Sequence, residues 1–374
     1  MLTQKRNYGI DLLRVVSMIM VVILHILSQG GILKILPELS AKYSLMWFLE
    51  IASYCAVNCY ALISGYTGYG RKFKPSGIVS LWFQVVFYTA GITILFKLLT
   101  PQPIGAYQIV TSFFPVSFDI YWYFTAYFAL FFFTPFLNRM MENLSKRAAS
   151  LLVIGLALIL SVFLTCIGNV FSFDLFNLNY GYSPLWLLVL YLIGAYVKKY
   201  QFGFNIKKKI WLIIYFISIF ITLLAKMLVP ILSRYIGFFT LFEDVLIDYT
   251  SPTILLCAIS LLIFFANLNL RATFCKIISF FSTCTFAVYI IHLQPNIWEF
   301  LNNRFVSYAD FNVAVLVLAV IGTALGIWLT ASLVDKVRQL LFKLIRIDTL
   351  ANKIASLVQR VVNKIADGLQ KLTI

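Results

Sequence analysis

The chain has 374 residues, of which 61% are hydrophobic and 12% are charged, and its formal net charge is +16. A soluble domain carries about 25% charged residues, so this composition excludes an ordinary soluble globular protein. The apolar residues lie in long runs separated by short polar ones. That pattern predicts an all-α fold, a polytopic membrane helix bundle.

Ten segments are predicted to span the membrane, because a helix crosses the hydrocarbon core in about 20 mostly apolar residues. In chain order they cover residues 8–29, 43–65, 77–99, 120–139, 149–168, 184–198, 210–231, 251–268, 274–293 and 312–334. We therefore predict one ten-span membrane domain over residues 1–334 and a separate helical tail over residues 335–374.

Alternate connections between these spans are basic. The Lys and Arg residues lie near the N-terminus, in alternate loops and in the tail, with six exceptions: Lys34, Lys42, Lys97, Lys226, Arg234 and Arg304. Basic loops mark the cytoplasmic side, so we expect a multi-pass protein of the cell membrane with both termini in the cytoplasm. This asymmetry explains the net charge without a nucleic-acid partner.

The six cysteines lie in or beside apolar runs. Their spacing matches neither a disulfide framework nor a zinc site. Free cysteines are commonly buried as small hydrophobic residues, so we predict neither a disulfide nor a metal site.

The first span, GIDLLRVVSMIMVVILHILSQ from Gly9 to Gln29, carries ionisable side chains that a simple anchor would exclude. Arg14 and His25 are separated by about three helical turns, so they share one face at about 16 Å along the axis. An ionisable group at depth costs about 2.5–3.5 kcal/mol and marks a candidate functional site. Alternatively, Arg14 snorkels or pairs with Asp11, and His25 is a neutral imidazole bonded to another helix.

The second histidine of the chain, His292, falls late in the ninth span, at a depth similar to that of His25. Glu50, early in the second span, lies at a comparable depth. Because a buried carboxylate is costly without a partner, we expect Glu50 to pair with one histidine. His25, Glu50 and His292 are therefore the candidate catalytic residues. Alternatively, Glu50 is an interfacial carboxylate reached by water, and His292 only packs at the interface.

The tail has a different pattern, DKVRQLLFKLIRIDTLANKIASLVQRVVNKIADGLQKL, in which apolar and basic residues alternate at helical spacing. One apolar stripe contains Ile347, Leu350, Ala351, Ile354, Val358, Val361, Val362, Ile365 and Leu369. A basic amphipathic helix of this kind usually lies on the anionic inner leaflet. A surface for a helical partner is the alternative.

Four stretches form a characteristic series of motifs. The first span has NYGIDLLR leading to Arg14, ten residues and then His25. The others are NCYALISGYTGYGRKFK (58–74), DIYWYFTAYFALFFFTPFLN (119–138) and SFFSTCTFAVYIIHLQP (279–295). In this order they resemble the acyltransferase 3 family of integral membrane acyltransferases, over roughly residues 5–335.

The resemblance implies a membrane O-acyltransferase that uses acyl-CoA on the cytoplasmic side, commonly acetyl-CoA. The acceptor would be a hydroxyl of a cell-envelope or exported carbohydrate, or of a lipid-linked sugar. We expect His25 to act as general base. The tail is too short for the extracytoplasmic hydrolase domain that some members carry, so a stand-alone form is expected.

Acyl-CoA carries phosphates, which require cations. The cytoplasmic cations nearest the SGY turn are Arg71, Lys72 and Lys74. Arginine binds phosphate through two parallel hydrogen bonds, and lysine adds a point charge. Together with Arg14 they are the candidate cofactor-binding residues, although topology alone explains their charges equally well.

Aromatic residues make up 17% of the chain and suit stacking against a sugar. Trp122 and Tyr289 are the candidate substrate-binding residues. Tyr289 precedes His292 by three residues on the same helical face, and it either donates to an oxyanion or simply packs.

Two other functions fit the same sequence. A transporter or flippase of a lipid-linked sugar would line its path with Arg14, His25 and Glu50, although the sequence shows no broken helices or inverted repeats. A non-catalytic membrane component would bind a partner through the basic tail. The enzyme predicts consumption of a thioester, and the other two do not.

Overall fold

The structure, a computed structural model, describes residues 6–101, 103–171 and 173–372, without the side chains of residues 169 and 366–372. It contains helices and no strands in this part of the chain, which confirms the all-α class. Residues 1–5 of the predicted membrane domain and the Leu369 side chain of the predicted stripe lie outside the described residues.

The α-helices are connected mainly by short turns, and one π-helix, Leu158–Asn169, continues α8. The helices are α1 (Tyr8–Leu27), α2 (Ile32–Ile35), α3 (Ala41–Tyr54), α4 (Ala56–Gly68), α5 (Ser76–Leu99), α6 (Ala106–Ser112), α7 (Trp122–Asn143), α8 (Lys146–Ala157), α9 (Pro184–Tyr200), α10 (Lys208–Tyr235), α11 (Pro252–Ala266), α12 (Ala272–Ser282), α13 (Thr285–His292), α14 (Pro295–Leu301), α15 (Val313–Leu344) and α16 (Ile347–Leu372). Short 3₁₀ turns cover Asn179–Gly181, Gly237–Phe242 and Val306–Asp310.

Every predicted span coincides with helix, but the number ten is not confirmed. By length and composition, seven segments of the described chain are able to cross a membrane: Tyr8–Ile35, Ala41–Gly68, Ser76–Leu99, Lys146–Gly168, Lys208–Tyr235, Ala272–His292 and Val313–Leu344. The predicted spans at 120–139, 184–198 and 251–268 correspond to α7, α9 and the short apolar helix α11.

Two of the spans are interrupted, which the sequence did not reveal. The second span changes from α3 to α4 at Cys55, and the ninth changes from α12 to α13 at Thr283 and Cys284. Neither break contains glycine or proline, the usual local signals for a break. Non-helical backbone at membrane depth is tolerated where it is buried in protein or lines a cavity.

Side-chain caps fix where several helices begin. Ser40, Ser145, Ser183 and Asn312 each accept a hydrogen bond from a backbone N–H in the first turn of α3, α8, α9 and α15, respectively. Such a cap stabilises a helix by about 1 kcal/mol, because it satisfies a donor that has no partner within the helix.

The α4 and α9 helices pack backbone to backbone. A Cβ at Gly65 would lie 1.9 Å from the carbonyl oxygen of Tyr191, and one at Gly194 would lie 2.0 Å from that of Leu62. Small residues permit such close approach between membrane helices, where dispersion replaces the hydrophobic effect as the packing force. The contact fixes the position of Ser64 and the residues that follow it in α4.

The α1 helix occupies the centre of the bundle, where it packs against α3, α4, α11, α12, α13 and α15. By contrast, α10 and α15 expose large apolar side chains such as Phe220 and Leu318, as expected of surfaces that face lipid. The polar side chains of α1 therefore point into protein or into a cavity, and not into lipid.

Several helix ends meet on one side of the bundle. Lys199 Nζ at the end of α9 donates to the carbonyl oxygen of Leu144, at 2.9 Å. Asn138 Nδ2 of α7 donates to the carbonyl oxygen of Gly68, at 3.1 Å. Because the RKFK segment at 71–74 follows directly, we call this side of the bundle the basic side.

Most of the tail forms a helix, α16 (Ile347–Leu372), which packs along α5, whereas residues 335–344 continue α15, so the chain has no helix end at the predicted boundary after Val334. Ala351 and Ala355 are buried, whereas larger apolar residues of the helix, among them Val358 and Val361, are exposed. The apolar surface of α16 is therefore only partly covered by the bundle. Its predicted position on the inner leaflet stays a prediction.

Candidate active site

A cavity of about 920 Å³ runs along one face of α1. Arg14, Met18, Val21 and His25 line it from α1, at the spacing of one helical face. The facing walls come from α4, α7 and α13. The two ionisable residues that the first span was predicted to place on one face therefore do face a common space.

The cavity opens at the basic side. Arg71, Lys72, Phe73 and Lys74 all line it and are exposed, so we call this segment the mouth. The ring of Phe73 lies 4.9 Å from that of Phe131, measured between centroids. All the predicted cofactor-binding residues, Arg14 included, therefore line one cavity.

Arg14 is held by contacts on two sides. Its Nη1 donates to Asp11 Oδ1 at 2.7 Å, and its Nη2 donates to Thr67 Oγ1 at 3.3 Å. The other oxygen of Asp11 accepts a hydrogen bond from Arg6. The anticipated pairing with Asp11 is thus present, and it fixes a guanidinium that still faces the cavity. Two arginines share one carboxylate, so this group carries a net positive charge.

His25 lies against two aromatic side chains. Its Nδ1 is 2.9 Å from Nε2 of His292, and the indole of Trp298 in α14 meets its ring edge-on, with centroids 4.8 Å apart. His292 is buried behind His25, and its Nδ1 lies 2.5 Å from the carbonyl oxygen of Val288. His25 therefore lines the cavity, whereas His292 does not line it and contacts the ring of His25.

The hydroxyl of Tyr289 donates to no acceptor in the described part of the chain. The residue lines the cavity one helical turn before His292, and its buried oxygen faces the backbone N–H groups of Tyr123 and Phe124. The rings of Tyr121 and Tyr123 pack against it at 6.0 and 6.1 Å between centroids. An unpaired buried donor in a cavity is available to a ligand oxygen.

Aromatic rings gather at the N-terminal end of α7, away from the mouth. Trp122 stacks on Tyr249 with centroids 5.9 Å apart, and Tyr182 lies 4.4 Å from Trp122. Trp122 and Tyr249 line the cavity. Asn58 holds this wall in place, because its Nδ2 donates to the Tyr249 carbonyl at 2.7 Å. We call these three rings the aromatic wall.

Glu50 is not brought to a histidine. The residue is buried, but the cavity lining does not include it, and its Oε2 has no hydrogen-bond partner among the described residues. Both nitrogens of His292 face other groups, as described above. The expected pairing of Glu50 with a histidine is not observed, and a catalytic role of Glu50 stays a prediction.

The sequence did not single out several residues that shape the site. Thr67 contacts Arg14, Phe73 stands among the cations of the mouth, and Trp298 packs on His25. Thr67 follows Ser64 by three residues on the same face of α4, and Phe73 interrupts a basic run. The spacing of Thr67 and the position of Phe73 can be read from the sequence, but neither predicts a role in the site until the neighbouring helices are known. Trp298 lies in α14, beyond the turn that follows His292, and no feature of the sequence predicts its contact with His25.

No metal centre is found in the part of the chain that the structure describes. Three or more His, Cys, Asp or Glu side chains do not converge at any point within it. The six cysteines are free thiols.

The fold and cavity define a multi-pass membrane protein with a polar site inside its helix bundle. The model of the acyltransferase 3 family, described as an acyltransferase domain, matches residues 7–332. The chain therefore belongs to this family and is a membrane acyltransferase, which favours the enzyme over the transporter. No curated protein and no solved structure gives a significant match.

Proposed function

We propose that this acyltransferase transfers an acyl group, in particular acetyl, from acyl-CoA to a hydroxyl of a carbohydrate of the cell envelope or of an exported polysaccharide. Its donor enters from the cytoplasm, through the mouth on the basic side. The proposal places both termini in the cytoplasm, as the distribution of Lys and Arg predicts.

The observation that carries the proposal is the continuity of one cavity from the mouth to His25. Arg71, Lys72 and Lys74 supply cations for the phosphates of the nucleotide end of CoA. Phe73 and Phe131 offer aromatic faces for the adenine ring. Arg14 and His25 are about 16 Å apart along the helix, a length comparable to an extended pantetheine arm.

His25 is the base of the proposed reaction. It takes the proton of the acceptor hydroxyl while the acceptor oxygen attacks the thioester carbonyl carbon. The carbon–sulfur bond then breaks, and the departing sulfur receives the proton that His25 holds. One ester and one free CoA thiol result, with no net change in the protonation of the enzyme.

Tyr289 is the proposed donor to the oxyanion that forms during the attack. Its hydroxyl is buried and donates to no acceptor among the described residues, so it does not have to give up an acceptor when substrate arrives. A donor that is already in place for the developing charge lowers the barrier most effectively.

The aromatic wall supports a carbohydrate acceptor. Trp122, Tyr182 and Tyr249 present ring faces of the kind that stack on the apolar faces of sugars, and Trp122 and Tyr249 line the same cavity as His25. The wall stands at the end of α7 far from the mouth. Donor and acceptor would then approach His25 from opposite directions.

The test uses the purified protein in lipid nanodiscs with acetyl-CoA and a glycan extract from the cell envelope. Free CoA and acetylated glycan are measured by chromatography with mass detection, because thiol dyes would also react with the cysteines of the protein. We expect product only with both substrates, and a decrease of about 10²–10⁴-fold in His25→Ala.

Donor binding has a matched control. We expect Arg71→Ala to raise the KM for acetyl-CoA about tenfold, as loss of a charged hydrogen bond would. Arg139→Ala, which removes the same charge from an exposed residue outside the cavity, should leave this KM unchanged. Undiminished transfer by correctly folded His25→Ala would refute the proposed mechanism, and product without any CoA thioester would refute the donor.

A further inference from the structure

His292 was predicted as a catalytic residue, but its contacts point to a different task. We infer that His292 is a positioning residue that selects the tautomer of His25, so that Nε2 of His25 is the basic atom. The inference rests on the proposed function only in calling that atom the base. The direction of each hydrogen bond follows from the contacts alone.

The first step concerns His292 Nδ1. This atom lies 2.5 Å from the carbonyl oxygen of Val288, one turn earlier in α13. A carbonyl oxygen only accepts hydrogen bonds, so Nδ1 of His292 must carry the proton. In a neutral imidazole the other nitrogen, Nε2, is then a lone pair that can only accept.

The second step concerns His25 Nδ1, which lies 2.9 Å from that lone pair. One of the two nitrogens has to donate, and His292 Nε2 has no proton to give. Nδ1 of His25 therefore carries the proton and donates it. The lone pair of His25 is then on Nε2, the nitrogen that does not bond to His292.

The opposite arrangement would require a doubly protonated His292. Its imidazolium would be buried, with a backbone carbonyl and a neutral imidazole as its hydrogen-bond partners in the described chain. A buried cation without a bonded carboxylate is strongly disfavoured, so His292 is neutral in the resting enzyme.

The pair also prepares His25 for its charged state. When Nε2 accepts the proton of the acceptor hydroxyl, Nδ1–H of His25 keeps its hydrogen bond to the lone pair of His292, and this bond stabilises the imidazolium of His25. Trp298 packs edge-on against His25 and limits rotation of its ring. A backbone carbonyl and a second histidine thus perform the orienting task that a carboxylate performs in other general-base sites.

The composition of the chain allows a direct spectroscopic test. Because the sequence contains two histidines, ¹⁵N-histidine labelling of the full protein, purified with a histidine-free tag, yields the signals of two rings. Long-range proton–nitrogen correlation spectra distinguish protonated from bare ring nitrogens. We expect both rings to be protonated at Nδ1 and bare at Nε2. A His25 protonated at Nε2, or a ring protonated at both nitrogens, would overturn the inference.

Substitutions test the function of the pair. Gln places an amide oxygen near the position of the imidazole Nε2, so His292→Gln retains an acceptor for His25, whereas His292→Leu removes it. We expect His292→Leu to lower kcat about 10- to 100-fold with little change in either KM, and His292→Gln to restore most of that loss. In His292→Leu, the His25 signal should show a mixture of tautomers.

The outcomes separate the inference from the proposed function. If His25→Ala is inactive but His292→Leu has normal kcat and an unchanged His25 spectrum, the positioning role is wrong and the proposed base survives. If His25→Ala is fully active, the proposed base is wrong, whatever the ring spectra show. Thermal unfolding in nanodiscs identifies a variant that has merely lost its fold. In that case the spectra of the unmodified protein decide the question.

Discussion

Tyr289 differs from the buried Tyr88 in what its hydroxyl contacts. Its hydroxyl donates to no acceptor in the described chain, whereas Tyr88 donates to the buried carboxylate of Asp335 at 2.8 Å. A buried donor without an acceptor lowers the stability of the fold, whereas a hydrogen-bonded one contributes to it. Removing each hydroxyl in turn therefore distinguishes a contribution to catalysis from a contribution to stability.

Tyr289→Phe should lower kcat about 10²-fold or more, as loss of one oxyanion donor does, without lowering the thermal unfolding temperature. Tyr88→Phe should show the reverse, with normal kcat and a loss of about 1–3 kcal/mol of stability, since Asp335 loses a partner. Steady-state kinetics and unfolding in nanodiscs measure both effects. Normal kcat in Tyr289→Phe would exclude the hydroxyl as the oxyanion donor.

The geometry of α1 was predictable because it is local. The helical repeat alone puts Arg14 and His25 on one face, and the cavity lies along that face. The bond between His25 and His292 was not predictable, because membrane depth places two residues at one level without saying whether they touch. The contacts of Glu50 were not predictable for the same reason. Its depth matched that of the histidines, but α3 does not bring it to them.

The sequence indicates close contacts between helices more readily than it indicates breaks within them. Glycine permits close contact between membrane helices, and Gly65 meets the backbone of α9. The breaks at Cys55 and at Thr283 had no local signal, because neither contains glycine or proline. The amphipathic period of the tail predicted α16, but it did not predict that Ala351 would pack against the bundle.

Gly65 and Gly194 should each be intolerant of a single added methyl group. An alanine Cβ at either position would overlap a backbone carbonyl that cannot rotate away, so we expect Gly65→Ala and Gly194→Ala to cost about 1–3 kcal/mol or more. Gly322→Ala in α15 is the matched control, because a Cβ there meets nothing within 4 Å. Equal unfolding temperatures for all three variants would contradict this packing.

The two ends of the cavity differ in chemical character. The mouth lies on the side of the bundle where Lys199 joins α9 to the end of α7, and the aromatic wall lies at the other end of α7. The loop charges predict that the end with the mouth faces the cytoplasm, and this orientation stays a prediction. The position of the cavity between the two sides required the assembled bundle.

This polarity predicts sidedness of the reaction. Acetyl-CoA does not cross a bilayer, so it should support transfer only when it is added to the face that carries the mouth. The measurement uses inside-out and right-side-out membrane vesicles. Acetyl-CoA is added from outside to each preparation, and the acceptor is either trapped inside the vesicles or added outside them. We expect activity in inside-out vesicles, and equal activity in both preparations after detergent treatment. Activity of intact right-side-out vesicles alone would reverse the proposed orientation.

The hydrogen bond from His292 to Val288 has a consequence for the movement of protons through the bundle. Chains of ionisable groups through a membrane protein commonly act as proton wires. Here the chain ends at a peptide carbonyl, which does not titrate, so a proton that reaches His25 can return only to the cavity. The inferred histidine pair therefore gives a proton no route past Val288, so the polar interior of this bundle does not form a proton wire through these two residues.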